Sequence, residues 1–332
     1  MTVKADVDND TCFAMPPVRH KADGSPRRVG FELEFAGLGI DETSQAVADS
    51  LDAKLDRNTN AEHIVRDGDL GKFAIEIDWH FLKDRARFEE QEDASVDWTL
   101  ALRALVTDIV PIEVVCPPVP LAELEQLHLV TDALREAGAE GTQASPVAAF
   151  GVHINAESPD LEAETLHRYL RAFCLLQWWL MREHDINTTR RLSVYVDPYP
   201  ESYLHDIHGL RDPSNEELID QYLEHNPTRN RALDMLPLFA QIDEERVQAQ
   251  VGDDRINARP TFHYRLPDCR IDDEQWTLAR SWNRWCVVER LANDSGALEE
   301  LTAEFLLGKR GMFGVARKDW IKRVDQWVSA SA

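Results

Sequence analysis

The chain has no CxxC pair, no long apolar run and few positive charges, and each lack removes a class of function. Five cysteines (Cys12, Cys116, Cys174, Cys269 and Cys286) are scattered over 332 residues. An odd, unpaired set fits reduced thiols used as small hydrophobes better than a disulfide framework. No stretch reaches the apolar length of a membrane span, and the first 28 residues, polar and carrying Pro16, Pro17 and Gly24-Ser25-Pro26, lack the apolar core of a signal peptide. A cytoplasmic location is expected. Thirty-six Lys and Arg face sixty Asp and Glu, a formal charge of −24. Such a surface repels phosphate backbones and anionic membranes, so neither nucleic acid nor membrane is expected as a partner. The phosphate loop GxxxxGK[ST], the GxGxxG fingerprint, the HExxH zinc motif and the GxSxG elbow are all absent. Internal repeats and low-complexity segments are missing too.

What is present suffices for a globule. A hydrophobic share of 43% and nine tryptophans supply enough apolar surface to offset chain entropy. The length fits one main domain, residues 28–332, behind a polar flexible arm, 1–27. Much of the acidic excess falls on predicted helix exteriors, where it serves solubility. The informative acids lie in apolar strands, where an ionised group is costly to bury unless something pairs it.

Arg28-Val29-Gly30-Phe31-Glu32-Leu33-Glu34-Phe35 alternates with period two and predicts a strand with Glu32 and Glu34 on one face. A helix is expected over 43–55, then a hairpin of 64–66 and 73–78 around the Asp67-Gly68-Asp69 turn. A helix over 95–107 precedes the strand 112–115, which Pro117-Pro118 ends. The helix 121–137 closes at Gly138, and the strand 149–155 leads to Ser158-Pro159, a cap and first turn for a helix reaching His184. Helical patterns near 215–224 and 229–240 and a strand at 260–266 interrupt a region, 186–258, expected to be an irregular insertion on the substrate side. Helices follow over 273–292, 297–306 and 315–329. Strands with polar faces broken by long helices in irregular order predict an α+β fold with a mixed or antiparallel sheet. Trp178, Trp179, Trp276, Trp282 and Trp285 recur on helical segments, where core packing or subunit contact explains them.

The candidate chemistry lies in i, i+2 pairs within these strands: Glu32 and Glu34, Glu76 and Asp78, His153 and Asn155, with Glu113 nearby. Each pair shares one sheet face, which gathers negative charge that hard divalent cations neutralise. Oxygen ligands suit magnesium, which bridges protein carboxylates to nucleotide phosphates, whereas zinc favours more histidine and cysteine. A solvent-facing strand shows the same alternation, and only the recurrence over several strands favours a site. Asp67 and Asp69 serve a turn as readily as a ligand. Further on, Arg229, Arg259, His263 and Arg265 form a basic set suited to phosphate or carboxylate, unless these arginines pair with some of the many acids.

With these residues placed, the chain resembles the amidoligase family of carboxylate–amine ligases, related to glutamate–cysteine ligase and glutamine synthetase. The likeness spans about 28–292. It rests on Val29-Gly30-Phe31-Glu32-Leu33-Glu34-Phe35, Glu113-Val114-Val115-Cys116-Pro117-Pro118, Phe150-Gly151-Val152-His153-Ile154-Asn155 and Phe262-His263-Tyr264-Arg265, in that order. The resemblance implies a glutamine-synthetase-like sheet curved into a half-barrel, helices on its outer face, and ATP with two or more Mg2+ over its inner face. It implies Glu32, Glu34 and Glu113 as metal ligands, His153 beside the phosphates and Arg265 stabilising the transferring phosphoryl group. Asn155, Arg259, Arg229 and Asp69 are candidates for holding the nucleotide. Relatives usually carry glutamate where this chain has His263, so that ligand is lost, replaced by imidazole, or supplied by Glu76. The implied reaction joins a small-molecule or peptide carboxylate to an amine through an acyl phosphate, with Glu76, Asp78 or His153 as base. A divalent-metal hydrolase using the same carboxylates, and a non-catalytic nucleotide- or protein-binding relative, are the competing readings. A homo-oligomer is compatible with the sequence.

Overall fold

The computed structural model describes residues 10–77, 111–143, 150–186, 196–308, 310–311 and 314–331. The expected helix over 95–107 and Asp78 lie outside the described residues. The fold is α+β: an open antiparallel sheet of nine strands, with ten α-helices, among the described residues. The path runs β2 (Lys54–Arg57), β3 (Glu62–Arg66), β4 (Lys72–Ile77), β5 (Ile112–Val115), β1 (Arg28–Phe35), β7 (Val152–Glu157), β9 (Thr261–Tyr264) and β8 (Leu233–Asp234). The short β6 (Val119–Pro120) pairs with the start of β1. Among the described residues every pairing in the sheet is antiparallel, so of the two expected sheet types it is the antiparallel one.

The alternation in β1 works as its period dictates. Phe31, Leu33 and Phe35 are fully buried on one face, and Glu32 and Glu34 stand half-buried on the other. Two helices cover the apolar face, α3 (Ala163–Glu183) and α8 (Leu278–Ala292), which also pack on each other. Tyr169 of α3 stacks on Phe262 of β9 at 4.7 Å, and Trp282 of α8 meets Phe31 edge-on at 6.5 Å. Over the far end of the sheet, α1 (Ile40–Ser50) packs on β3, β4 and α2 (Leu127–Ala137).

Several boundaries differ from expectation for local reasons. The helix expected over 43–55 stops at Ser50, and Asp52 takes a left-handed conformation (φ 49°) that turns the chain into β2, so Leu55 is a strand residue. Ser158 does not cap α3. Its hydroxyl donates to Asp160 O at 2.6 Å, and the helix begins five residues later at Ala163. Thr277, whose hydroxyl accepts from Arg280 N, starts α8 later than the pattern at 273 suggests. Gly138, at φ 103°, closes α2 as expected.

The expected irregular insertion is not irregular in its described part. It forms α4 (Glu201–Gly209), α5 (Asn215–His225), β8, α6 (Leu236–Ile242) and α7 (Glu244–Val251), and β8 extends the central sheet. Tyr199, Tyr203 and Tyr222 pack edge-to-face in its core. After α8 come α9 (Ser295–Leu307) and α10 (Arg317–Ala330).

Residues 10–27, expected as an arm, lie docked on α8. Phe13 is buried, Trp282 Nε1 donates to Ala14 O, and Asn283 bridges Cys12 O and Ala14 N. Arg27 makes a two-pronged pair with Glu289 at 2.7 and 2.8 Å. No helix among the described residues is long and apolar enough to cross a membrane. All five cysteines are free, and four are buried.

Candidate functional site

Strand register collects the polar residues into rows across the face away from α3 and α8. Glu62, Glu76, Glu113 and Glu34 are cross-strand partners in succession on β3, β4, β5 and β1, and all four are half-buried. The next row pairs Glu32 with His153, and the third runs Gly30, Asn155, His263, Asp234 over β1, β7, β9 and β8. Four like charges in line repel one another, and such an arrangement persists where cations offset it.

Hydrogen bonds lock the middle of this face. His153 reaches both acids of β1: Nδ1 lies 2.9 Å from Glu32 Oε2, and Nε2 lies 3.5 Å from Glu34 Oε1. Glu34 Oε2 also accepts from the backbone N–H of Gly151 at 2.8 Å. Asn155 donates its amide to Glu32 Oε1 at 2.8 Å, and its oxygen receives Arg259 through Nε at 3.0 Å and Nη2 at 2.8 Å. His263 Nδ1 lies 2.8 Å from the same amide oxygen, and the two imidazoles meet edge-on at 5.2 Å. The side chains of Glu32 and Glu34 keep 18% exposure and that of Arg259 keeps 30%, so ligands can reach the face.

Electrostatics follow from this network. Burial alone would raise the Glu32 carboxyl, but the bond to His153 and the fields of His263 and Arg259 hold it well below the usual carboxylate range. Burial pushes His263 well below the ordinary imidazole value against the pull of Glu32. Cys116, buried beside Glu32, is raised to about 12 and is inert as a thiolate.

At the β8 edge stands Asp234, fully buried, one oxygen accepting from Leu236 N. Burial raises its carboxyl to about 6, against the lowering fields of Arg265, Arg229 and Arg259. Arg265 follows β9 and donates to Arg229 O at 2.9 Å. Burial, then the neighbouring Arg265, lowers the Arg229 guanidinium from its usual value, which marks these two cations as crowded together.

Of the residues picked from the sequence, Glu32, Glu34, Glu76, Glu113, His153, Asn155, Arg259 and His263 share one continuous face, with Arg229 and Arg265 at its β8 end. Asp69 does not join them. It sits exposed in the β3–β4 turn, where Asp67 Oδ1 accepts its backbone N–H, at the other end of the hairpin from Glu76. Glu76 pairs across to Glu113, in a different row from His263, so it does not stand in for a ligand there. Sequence reading missed Glu62 and Asp234. The period-two pattern of β3 would have found Glu62, whereas nothing local marks the two-residue β8.

Donor atoms gather in two groups: Glu32, His153 and His263, and Glu34, Glu113 and His153, each with ligand atoms within 4.8 Å of one another. Carboxylate pairs of the second kind suit Mg2+. Residues 25–287 match the family model described as "Putative amidoligase enzyme". Searches of curated proteins and of solved structures found no match.

Proposed function

Because the chain belongs to the amidoligase family, we propose that it is an ATP- and magnesium-dependent ligase that joins a carboxylate to an amine over the polar face of the sheet. In this reading that face lines a glutamine-synthetase-like half-barrel. The supporting observation is the order of charge along it: carboxylates from Glu62 to Glu32, then Asn155 and Arg259, then Arg265 and Arg229.

Glu34 and Glu113, whose donor atoms gather with His153, would hold magnesium, with Glu76 as the cross-strand partner of Glu113. When bound, the ion neutralises phosphate charge and ATP supplies the phosphoryl group. Arg265 and Arg229 stabilise the charge spread over the phosphoryl oxygens during transfer, since guanidinium stays charged and donates two parallel bonds. Asn155 holds Arg259 beside Glu32 by taking two of its donors on one oxygen.

A carboxylate is a poor electrophile until one oxygen becomes a leaving group. Phosphorylation gives an acyl phosphate, the amine nitrogen attacks its carbon, and phosphate leaves with the bonding electron pair. The amine proton passes to a base, for which Glu76 and His153 are placed on the face. Hydroxylamine tests this directly, because it traps an acyl phosphate as a hydroxamate. Incubation with ATP, Mg2+ and a panel of carboxylates and peptides is expected to give hydroxamate with the wild type and none with Glu32→Gln/Glu34→Gln. ATP consumption without hydroxamate, over a panel broad enough to include amino acids and cell-wall fragments, would sink the acyl-phosphate route.

One observation favours a second reading. Two imidazoles and a carboxylate are a donor set met in hydrolytic zinc sites. Turnover of an amide or phosphoester without ATP would establish that alternative.

A further inference from the structure

Resting on the reading of this face as a metal site, we propose that the position framed by Glu32, His153 and His263 takes a nitrogen-preferring divalent ion of the zinc class, while the Glu34 and Glu113 side takes magnesium. The two halves of one site then hold different metals.

The donor chemistry separates them. The first group offers two ring nitrogens and one carboxylate, the second two carboxylates and one ring nitrogen. Imidazole suits zinc, cobalt and their neighbours, whereas magnesium keeps oxygen ligands and water. His153 borders both groups, its Nδ1 facing Glu32 and its Nε2 facing Glu34. One lone pair is available on the neutral ring. When Nδ1 ligates beside Glu32, the proton sits on Nε2 and points to Glu34, the carboxylate–histidine–metal relay that orients ligating imidazoles elsewhere.

The second observation is that His263 is already held as a ligand would be. Glu32 can only accept, so the Asn155 NH2 group faces it and the amide oxygen faces His263 and Arg259. His263 Nδ1 lies 2.8 Å from that oxygen and 3.0 Å from Arg259 Nη2; in the tautomer that donates Nδ1–H to the amide oxygen, the Nε2 lone pair lies outside this bond. Asn155 thus ties two of the three donors, Glu32 and His263, through opposite ends of one amide. A carbonyl oxygen on the far nitrogen of an imidazole is the usual support of a metal-bound histidine.

The test is metal binding to the full chain, read without nucleotide or turnover. Equilibrium dialysis against limiting Zn2+ in about a hundredfold excess of Mg2+ is expected to leave one zinc on the wild type, and Co2+ is expected to give visible absorption bands there. His263→Glu replaces nitrogen by oxygen, and zinc affinity should fall by about 10-fold or more. Glu113→Gln should leave zinc binding within about threefold of wild type, a limit set well below the loss of a true ligand. Circular dichroism confirms folding of each variant. Loss of wild-type zinc to excess magnesium, or retention of zinc by His263→Glu, overturns the proposal. The readout also separates the two claims: zinc held through His263 without ligase activity keeps this inference and removes the ligase, and ligation with no zinc retained does the reverse.

Discussion

Two glutamates on opposite sides of the same sheet, one buried and one half-buried, show how differently the fold treats charge. Glu289, on α8 beneath the apolar face, is fully buried and completely answered: Arg27 grips both oxygens, while Trp285 Nε1 and Tyr169 OH donate as well. Glu32, on the polar face, has His153 and Asn155 as partners but keeps part of its surface open. A fully bonded buried pair fixes structure and leaves no lone pair for a ligand. A half-open acid among other acids keeps lone-pair surface that a cation can reach. The fully paired charge and the partly open one are separated here by one layer of strands.

That comparison breaks most visibly at the site. Glu32→Gln/Glu34→Gln is expected to lower ligase activity by at least about 100-fold, the scale seen when transition-state electrostatics are removed. Its circular dichroism should stay that of the wild type, so the loss is one of chemistry and not of the fold. The opposite pattern belongs to Arg27→Ala, which leaves Glu289 buried without its guanidinium partner and should cost about 3–5 kcal/mol in urea unfolding. A loss under about 1 kcal/mol would show that Glu289 is not the structural charge described, since that is the value of a surface pair.

Asp234 and Glu32 sharpen the contrast through pH. The Asp234 carboxyl rises to about 6 in the folded chain, above the roughly 3.9 of an unfolded aspartate. Its contribution to stability is therefore full below pH about 4 and lost as pH rises to about 6. Asp234→Asn should gain about 2–3 kcal/mol on the wild type between those limits, read as unfolding free energy at each pH. Glu32 has the opposite sign. Its depressed carboxyl stabilises the fold above the unfolded glutamate value and loses that contribution as pH falls, so Glu32→Gln should weaken the acid dependence. The smallest effect is expected far from both faces. Ser214 caps α5, with a capping box closed by Glu217, and Ser214→Ala should cost about 1 kcal/mol without changing metal or nucleotide binding.

The polar face was legible wherever a strand was long enough to show its period. β1 and β7 each display two polar side chains of the shared face at i, i+2, so Glu32, Glu34, His153 and Asn155 could be named from spacing alone. The turn at Asp67 and the helix closure at Gly138 were legible because each is local chemistry. Asp234 was not, since a two-residue strand has no period and its full burial is set by the tertiary fold. The role of Arg27 was equally hidden: its partner lies 262 residues along the chain, and Glu289 looks like any acid on a helix. The docking of 10–27 on α8 escaped notice for the same reason, because composition records polarity and not contact.

The most direct test of the central claim is a calorimetric titration of a non-hydrolysable ATP analogue into the purified chain, with and without Mg2+, beside Glu32→Gln/Glu34→Gln. Magnesium-dependent binding to the wild type, absent from the variant, is the predicted result. No binding to either protein, or equal binding to both, would contradict the assignment of this sheet face as a nucleotide and metal site.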